Sequence, residues 1–497
     1  MAVSLVLQAL QFDQLAILLL FISSVAGFIL WYKRGESQLT RSVPPGPRGL
    51  ELLRILPDLL DPFKLTKYLA HKYGKIVSFR FGGQDVVFLN DIDTIRDAFI
   101  SPDIADRPTL FDDEFPGQGI VGASGEEWRE RRKFILTQLR KFDLGKDGSE
   151  NRVREEAVYL VDAIKGTQQA FNPYPIVSNA VMNVVSVVII GKRFDYDDLE
   201  FRNMHKDMDD FLHLNDSFLR ILPKFVIKNV MRGRWNKMVG ILARLQDRFE
   251  STINEHDKDR DCDHVKDMID SYLKQMSTGD KAFLKTARID IETLKADIAD
   301  LLMAGSETSS VSLAWVLLYM AAYPDVQRKA QCDIDKVIGK DVIPSDSDRF
   351  KLPFIEAILW ETARIQTIVP FVPHTASRDT TIQGYHIAKG SMVTSNVWGV
   401  HTDPHLWEEP DQFKPQRFLD PAGNLVVPKH LIPFSVGRRS CIGEKIAKLE
   451  LFIFFTHMLQ KFTFTLPDEG SPPPSFKGIL GLTYAPEPFK LCAQARN

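Results

Sequence analysis

Near its C-terminal end the chain reads Pro433-Phe434-Ser435-Val436-Gly437-Arg438-Arg439-Ser440-Cys441-Ile442-Gly443-Glu444, and a long apolar run follows. No other stretch restricts the possible folds so strongly. Glycines on either side of a thiol let backbone approach something flat and large. Amide N–H groups can then point at the sulfur, and with arginines nearby a lowered pKa and a good metal ligand are expected. From Glu444 to Phe462 the apolar residues Ile446, Leu449, Phe452, Ile453, Phe455, Met458 and Leu459 recur at helical spacing. Cys441 therefore falls just before or within the first turn of a helix, where the dipole also favours an anion. A lone cysteine is more often a small buried hydrophobe; these surroundings point to a ligand instead.

Phe434, Gly437, Arg439, Cys441 and Gly443 meet the pattern F-x-x-G-x-R-x-C-x-G. That pattern resembles the haem-binding loop of the cytochromes P-450, in which the cysteine thiolate is the axial iron ligand. The resemblance implies Cys441 as the metal ligand, with Phe434, Arg439 and Gly443 as further contacts to the cofactor.

At 497 residues and 44% apolar composition, the chain can bury a large core. A formal net charge of −3 argues against bulk nucleic-acid binding. The four cysteines, Cys262, Cys332, Cys441 and Cys492, are widely spaced, which is no disulfide framework and fits a reducing compartment. Leu15 to Tyr32 is apolar apart from Ser23 and Ser24 and, at roughly 18 residues, is just long enough to span a bilayer. Lys33, Arg34, Arg41 and Arg48 follow it, whereas only Asp13 is charged before it. The positive-inside rule puts the N-terminus in the lumen and the rest in the cytoplasm. No basic leader or small-residue cleavage site marks it as a signal peptide. The expected organisation is a membrane anchor over 1–32, a basic, Pro-rich linker over 33–49 and one catalytic domain over 50–497.

Along the body, Ile76–Phe81 and Val86–Leu89 flank Gly82-Gly83 and predict a β-hairpin. Phe111 to Ser124 is Gly-rich and predicts a loop. Glu126 to Leu139 predicts a helix on which Trp128 and Arg132, four apart, share a face that could hold a carboxylate. From Glu150 to about Lys285 the pattern is amphipathic helix. Within it, Phe218 to Val230 is apolar, broken by Pro223 and dotted with cations, so it suits a membrane surface or an ordinary helix–loop–helix alike. Ile291 to Tyr323 is the longest helical pattern, stopped by Pro324. Its middle, Ala304-Gly305-Ser306-Glu307-Thr308-Ser309-Ser310, breaks the apolar run. A mid-helix Gly costs about 1 kcal/mol, and a buried carboxylate needs a partner. Such local violations tend to mark functional sites. Small Ala304 and Gly305 leave room for a cofactor, and an acid beside an alcohol makes a proton path. Leu352 to Arg364 predicts a helix carrying Glu361 and Arg364, neighbours at i, i+3. Val369-Pro370-Phe371-Val372-Pro373-His374 reads as rigid and extended. Thr381–Ile387 and the tail from Phe476 to Leu491 read as hairpins.

These motifs occur in the order found in the cytochromes P-450 and cover the chain from anchor to tail. The wording is similar to the animal microsomal group that oxidises fatty acids, steroids and foreign compounds. The implied fold is mainly α with a small β region (α+β), the cytochrome P-450 fold, with an N-terminal transmembrane helix. The implied cofactor is haem b with an axial Cys thiolate, and O2 and NADPH-derived electrons are co-substrates. By the same resemblance, Trp128, Arg132, His374 and Arg439 meet the haem propionates and Ala304 lies beside the ring. Glu307 and Thr308 deliver protons. Glu361, Arg364 and Arg417 form a structural network holding the cysteine loop; Gln416 departs from the usual glutamate beside Arg417. Pocket candidates by location are Phe111, Phe115, Ala304, Val369, Phe371 and Leu480. Arg129, Arg131, Lys133, Lys141, Arg438 and Lys445 would make a basic face for NADPH-cytochrome P-450 reductase, with cytochrome b5 as a further candidate donor. The implied location is the endoplasmic reticulum membrane, catalytic domain on the cytoplasmic face. Two alternatives stay open: a P-450-like isomerase or dehydratase of a peroxide, and a haem carrier or sensor without turnover.

Overall fold

The computed structural model describes residues 42–496, apart from 56–57, 59–60, 82, 109–113, 115–117, 144–147, 168, 216–223, 259–263 and 468–474. The predicted anchor over 1–32, most of the linker, Phe111, Phe115 and the first half of Phe218–Val230 lie outside these residues. The fold is mainly helical with small sheets, as the patterning predicts.

Strands β1 (Ile76–Phe81) and β2 (Gln84–Leu89) form the predicted hairpin, pairing Ile76 with Leu89 and Phe81 with Gln84. The chain then builds α1 (Gly125–Asp143), α2 (Ser149–Lys165), α3 (Tyr174–Ile190), α4 (Leu199–Leu214) and α5 (Arg232–Lys258). The longest helix is α6 (Ile291–Ala322), followed by α7 (Pro353–Gln366), β3 (Phe371–Thr375), β4 (Met392–Asn396) and α8 (Glu444–Lys461). The four strands make one sheet in the order β1-β2-β4-β3. Within it, β2 runs parallel to β4 with Val86 opposite Met392, and β3 runs antiparallel to β4.

The start of α6 is specified locally. Asp290 accepts from the Thr293 amide at 2.8 Å, while the Thr293 hydroxyl accepts from the Asp290 amide at 3.2 Å, a reciprocal cap. Its end is equally local: Ala322 is its last residue and Pro324 opens the next helix. The C-terminal half of the helix is apolar because it is enclosed. Leu313, Ala314, Trp315, Val316, Leu317 and Leu318 have no exposed surface, and each fully buried large side chain contributes about 1.5–3 kcal/mol. It is long and apolar enough to cross a bilayer, but here it is the core of the fold.

Burial along α6 is broken by one stripe. Ala296, Asp300, Ala304, Thr308 and Ser312, spaced by four, are the less buried positions, and Ala304 is exposed. The predicted hairpin at Thr380–Ile387 is present, and the tail folds back as Gly478–Leu480 against Tyr484–Pro486. A further strand pair, Phe462–Thr465 with Cys492–Ala495, has no clear signal in the sequence. Pro44 and Pro45 are fastened to β1: Ser78 donates its hydroxyl to the Pro44 carbonyl and its amide to the Pro45 carbonyl, both at 2.8 Å.

Candidate functional site

The cysteine loop is shaped by backbone before any cofactor is considered. Gly437 has φ +79°, and a Cβ there would lie 2.2 Å from the Phe99 carbonyl oxygen, so only glycine fits. Arg438 donates to the Ile100 carbonyl at 2.9 Å, binding the loop to the same segment. The Cys441 amide donates to the Phe434 carbonyl at 3.0 Å, closing the turn. Cys441 itself is exposed, and the amides of Gly443 and Glu444, at the start of α8, bond towards its sulfur. Gly443 has an ordinary φ of −93°. A Cβ there would be 3.9 Å from Cys441 Sγ, so its backbone N–H matters more than its freedom of rotation.

Opposing influences act on the thiol before any metal is bound. Burial, the largest effect, pushes the Cys441 thiol up, and Glu444 adds to it; the two amides and Arg132 oppose without winning. The sequence argument weighed only the opposing amides and cations. A bound metal cation changes that balance outright, because it deprotonates a ligating thiol.

Cations converge beside the loop. Arg132 on α1 donates to the Ser440 carbonyl at 2.6 Å. Arg439 is buried, stacks 3.9 Å over the Trp128 ring and donates to the carbonyls of Ala105 (2.7 Å), Ile120 (3.3 Å) and Ala123. Burial and the guanidinium of Arg107 press the Arg439 cation down, a cost that an added carboxylate would relieve. His374 on β3 is fully buried, stacked 3.8 Å from Phe99. Its Nδ1–H donates to the Ile104 carbonyl at 2.8 Å, while its buried Nε2 has no partner. Burial, and then Arg107, hold this ring well below the usual histidine range. Trp128, Arg132, Arg439, His374 and Cys441 thus surround one place with cations, an orphaned ring nitrogen and an exposed thiol. This donor set fits an iron porphyrin with acidic side arms: a sulfur for the metal, positive charge for the carboxylates, and a carboxylate at Nε2 would favour a proton there. Arg107 had no signal in the sequence.

Behind the loop, the three residues that the resemblance implies as a network are in contact. Glu361 and Arg364 on α7 have no exposed surface and bond through both carboxylate oxygens, at 2.7 and 2.9 Å. Arg417 donates to Glu361 Oε1 at 3.1 Å, and its other nitrogens reach the carbonyls of Glu408 and Glu409. His401, unremarked in the sequence, completes the support. Its Nε2 accepts from the Ile432 amide at 2.9 Å, just ahead of the loop. Burial and the Arg364 charge lower His401 to about 3.

On α6, the acid and the alcohol do not bond to each other. Thr308 donates to the Ala304 carbonyl at 2.8 Å and sits on the open stripe. Glu307 is buried, accepting from Tyr174 at 2.5 Å and Thr483 at 3.0 Å. Burial, and then Asp209, raise its carboxyl. Ser309 donates at 2.8 Å to Glu450 of α8, whose burial lifts it to about 8. This contact between the two helices that flank the site was not read from the sequence.

The remaining predicted positions divide. Val369 and Leu480 are half-buried. Phe371 is in the core, its ring 5.7 Å from Phe63, rather than on an open wall. Phe434 meets Trp360 edge-on at 6.4 Å. In the predicted basic face, Arg131 is a correction. It has no exposed surface, bonds Glu127 at 2.8 Å and lies 3.7 Å from buried Asp297, because its position on α1 turns it inward. Arg129, Lys133, Lys141, Arg438 and Lys445 are exposed, with Arg129 paired to Glu126 and Glu130.

Comparison with known proteins agrees with this geometry. The family profile described as cytochrome P-450 matches residues 44–493. The chain is 36% identical to cytochrome P-450 2U1 of Mus musculus over 97% of its own length and 95% of that protein's. It is 36% identical to cytochrome P-450 2J2 of Homo sapiens over 91% of each. The same identity relates it to cytochrome P-450 2D26 of Rattus norvegicus, over 92% of this chain and 94% of that one.

Proposed function

This chain belongs to the cytochrome P-450 family, an oxidoreductase with haem-thiolate monooxygenase chemistry, and from that premise we propose that it places one oxygen atom of O2 into a lipophilic small molecule of the fatty acid, steroid or xenobiotic class. Electrons come from NADPH through a reductase that meets the exposed basic residues Arg129, Lys133, Lys141, Arg438 and Lys445. The protein sits on the endoplasmic reticulum membrane, held by residues 1–32, with its catalytic domain in the cytoplasm.

One observation carries the reading. The exposed thiol of Cys441 lies under two backbone amides and beside Arg132, and the orphaned His374 nitrogen and buried Arg439 belong to the same surroundings. Cys441 would hold the iron, and Arg132, Arg439, Trp128 and His374 would hold the carboxylate arms. The haem, when bound, supplies oxygen activation and C–H oxidation. The chain's own residues do the rest. Ala304 keeps the open side of α6 thin, so that the ring and a substrate share the space, whereas Gly305 lets Val185 of α3 approach, a Cβ there lying 3.0 Å from that side chain. Thr308, bonded back to the Ala304 carbonyl, holds a hydroxyl on the open stripe, and next to it in sequence is the buried Glu307, whose carboxyl burial raises. The Glu361–Arg364–Arg417 network fixes the loop and touches no reactant.

Replacing Cys441 with serine tests the reading. The purified wild-type protein should show the red-shifted carbon-monoxide band of thiolate ligation, and Cys441→Ser should lose it. Retention of the band in the variant would overturn the assignment. A screen of fatty acids, steroids and model drugs with reductase and NADPH then separates the monooxygenase from an isomerase, which consumes no NADPH, and from a carrier, which forms no product.

A further inference from the structure

Glu307 begins a chain of polar groups that runs from the buried middle of α6 to the exposed His213. The Tyr174 hydroxyl on α3 lies 2.5 Å from Glu307 Oε2 and 3.0 Å from Asp209 Oδ1 on α4. A phenol has one proton, and two carboxylates cannot both be satisfied by it. A proton on one carboxyl, donated to the phenol oxygen, satisfies both contacts. Glu307 is 5% exposed, whereas the Asp209 side chain is 30% exposed and lies 3.6 Å from the half-open His213 ring. Burial favours the neutral form, so the extra proton belongs on Glu307. Its other oxygen accepts from Thr483 at 3.0 Å. A cavity of about 10 Å³ lies between His205, Asp209, Ser306 and Glu307, about the smallest space that holds one water. The His205 ring is tied to the Ser178 hydroxyl.

We propose that Tyr174 and Asp209 form the solvent-side half of a proton path that reloads Glu307, with His213 at its mouth. This rests on the monooxygenase reading, in which O2, two electrons, two protons and a substrate C–H give an alcohol and water. Each proton leaving Glu307 towards Thr308 is replaced in one relay. The Tyr174 proton passes to Glu307, the Tyr174 oxygen takes a proton from Asp209, and Asp209 takes one from water or from His213. No charge is left on the tyrosine. Tyr174 and Asp209 are positioning residues, acting only through Glu307.

The test uses the full-length holoenzyme and the variants Tyr174→Phe, Asp209→Asn and Glu307→Gln, each with its thiolate carbon-monoxide band intact. Infrared difference spectra against Glu307→Gln should reveal the carbonyl stretch of a protonated Glu307 at neutral pH. Tyr174→Phe should move that band, because it removes a hydrogen bond to the carboxyl. With reductase and NADPH, both Tyr174→Phe and Asp209→Asn should lower coupling of NADPH to product by about tenfold, at the modest end of general acid–base effects, and enlarge the effect of D2O. Turnover driven by hydrogen peroxide should persist, since peroxide brings its own protons and electrons. Absence of a Glu307 carbonyl band, or coupling and D2O effects unchanged in both variants, overturns the path and leaves the monooxygenase standing. A Glu307 band that shifts in Tyr174→Phe, in a protein that oxidises nothing in the substrate screen, supports the protonated relay and overturns the monooxygenase reading instead.

Discussion

On the cysteine side of the site, the side chains nearest the thiol are held by backbone, with the Glu361–Arg364–Arg417 ion pairs behind them. Arg132 bonds the Ser440 carbonyl, Arg439 bonds three carbonyls, and Cys441 receives backbone amides. On the α6 side, Thr308 is tied back to the Ala304 carbonyl, but the acidic groups are held by other side chains: Glu307 and Asp209 by Tyr174, and Glu450 by Ser309. Backbone dipoles neither titrate nor turn over, so the first arrangement suits fixed geometry. Carboxyls and phenols in a dry interior are sensitive to every neighbouring charge, and the second arrangement suits transfer. The difference teaches that one wall is fixed by groups that do not titrate, while the other holds groups that do, as the proposed proton delivery requires.

That contrast can be broken most forcefully at the cysteine wall. Glu361→Ala strands the buried Arg364 charge and should destabilise the fold by about 3–5 kcal/mol, read by chemical denaturation together with loss of bound haem. Gly437→Ala forces a Cβ onto the Phe99 carbonyl. It should lower haem occupancy and cost about 1–3 kcal/mol, the range for a strained backbone position, with the denaturation midpoint as readout. On the other wall the fold should survive and chemistry should suffer. Thr308→Ala is expected to leave the thiolate band intact and to cut coupling of NADPH to product about tenfold, or ~1.4 kcal/mol, with hydrogen peroxide measured as the lost fraction. Unchanged coupling would remove Thr308 from proton delivery.

Two smaller effects sharpen the comparison through pH. Glu450 is raised from 4.5 to about 8 by burial. It therefore contributes stability that is full below pH 4.5 and is lost as pH rises through about 8. Glu450→Gln, which keeps the neutral shape, should flatten the melting temperature across that window. His401 runs the other way. Its folded value is about 3 against an ordinary 6.5, so its contribution is present above pH 6.5 and fades as pH falls towards 3. Melting temperatures of His401→Gln and the parent protein should differ in slope over that acid range.

Legibility from sequence followed the range of the interactions. The cysteine loop, the stop of α6 at Pro324 and the Glu361–Arg364 pair each lie within a few residues, where spacing alone implies geometry. The inward turn of Arg131 was missed because a run of cations on a helix carries no label for which face meets the core; only Asp297, from another helix, reveals it. Tyr174, Asp209 and Thr483 were invisible as a group because they come together across three separate elements.

The pairing of β2 with β4 also has a consequence for synthesis. Val86 meets Met392, 306 positions later. At typical elongation rates of about 5–20 residues per second, the first hairpin waits roughly 15–60 s on the ribosome before its parallel neighbour exists. During that interval one edge of β2 is unsheltered, so the nascent chain needs either a companion that covers it or a helical middle that folds early and keeps other strands away.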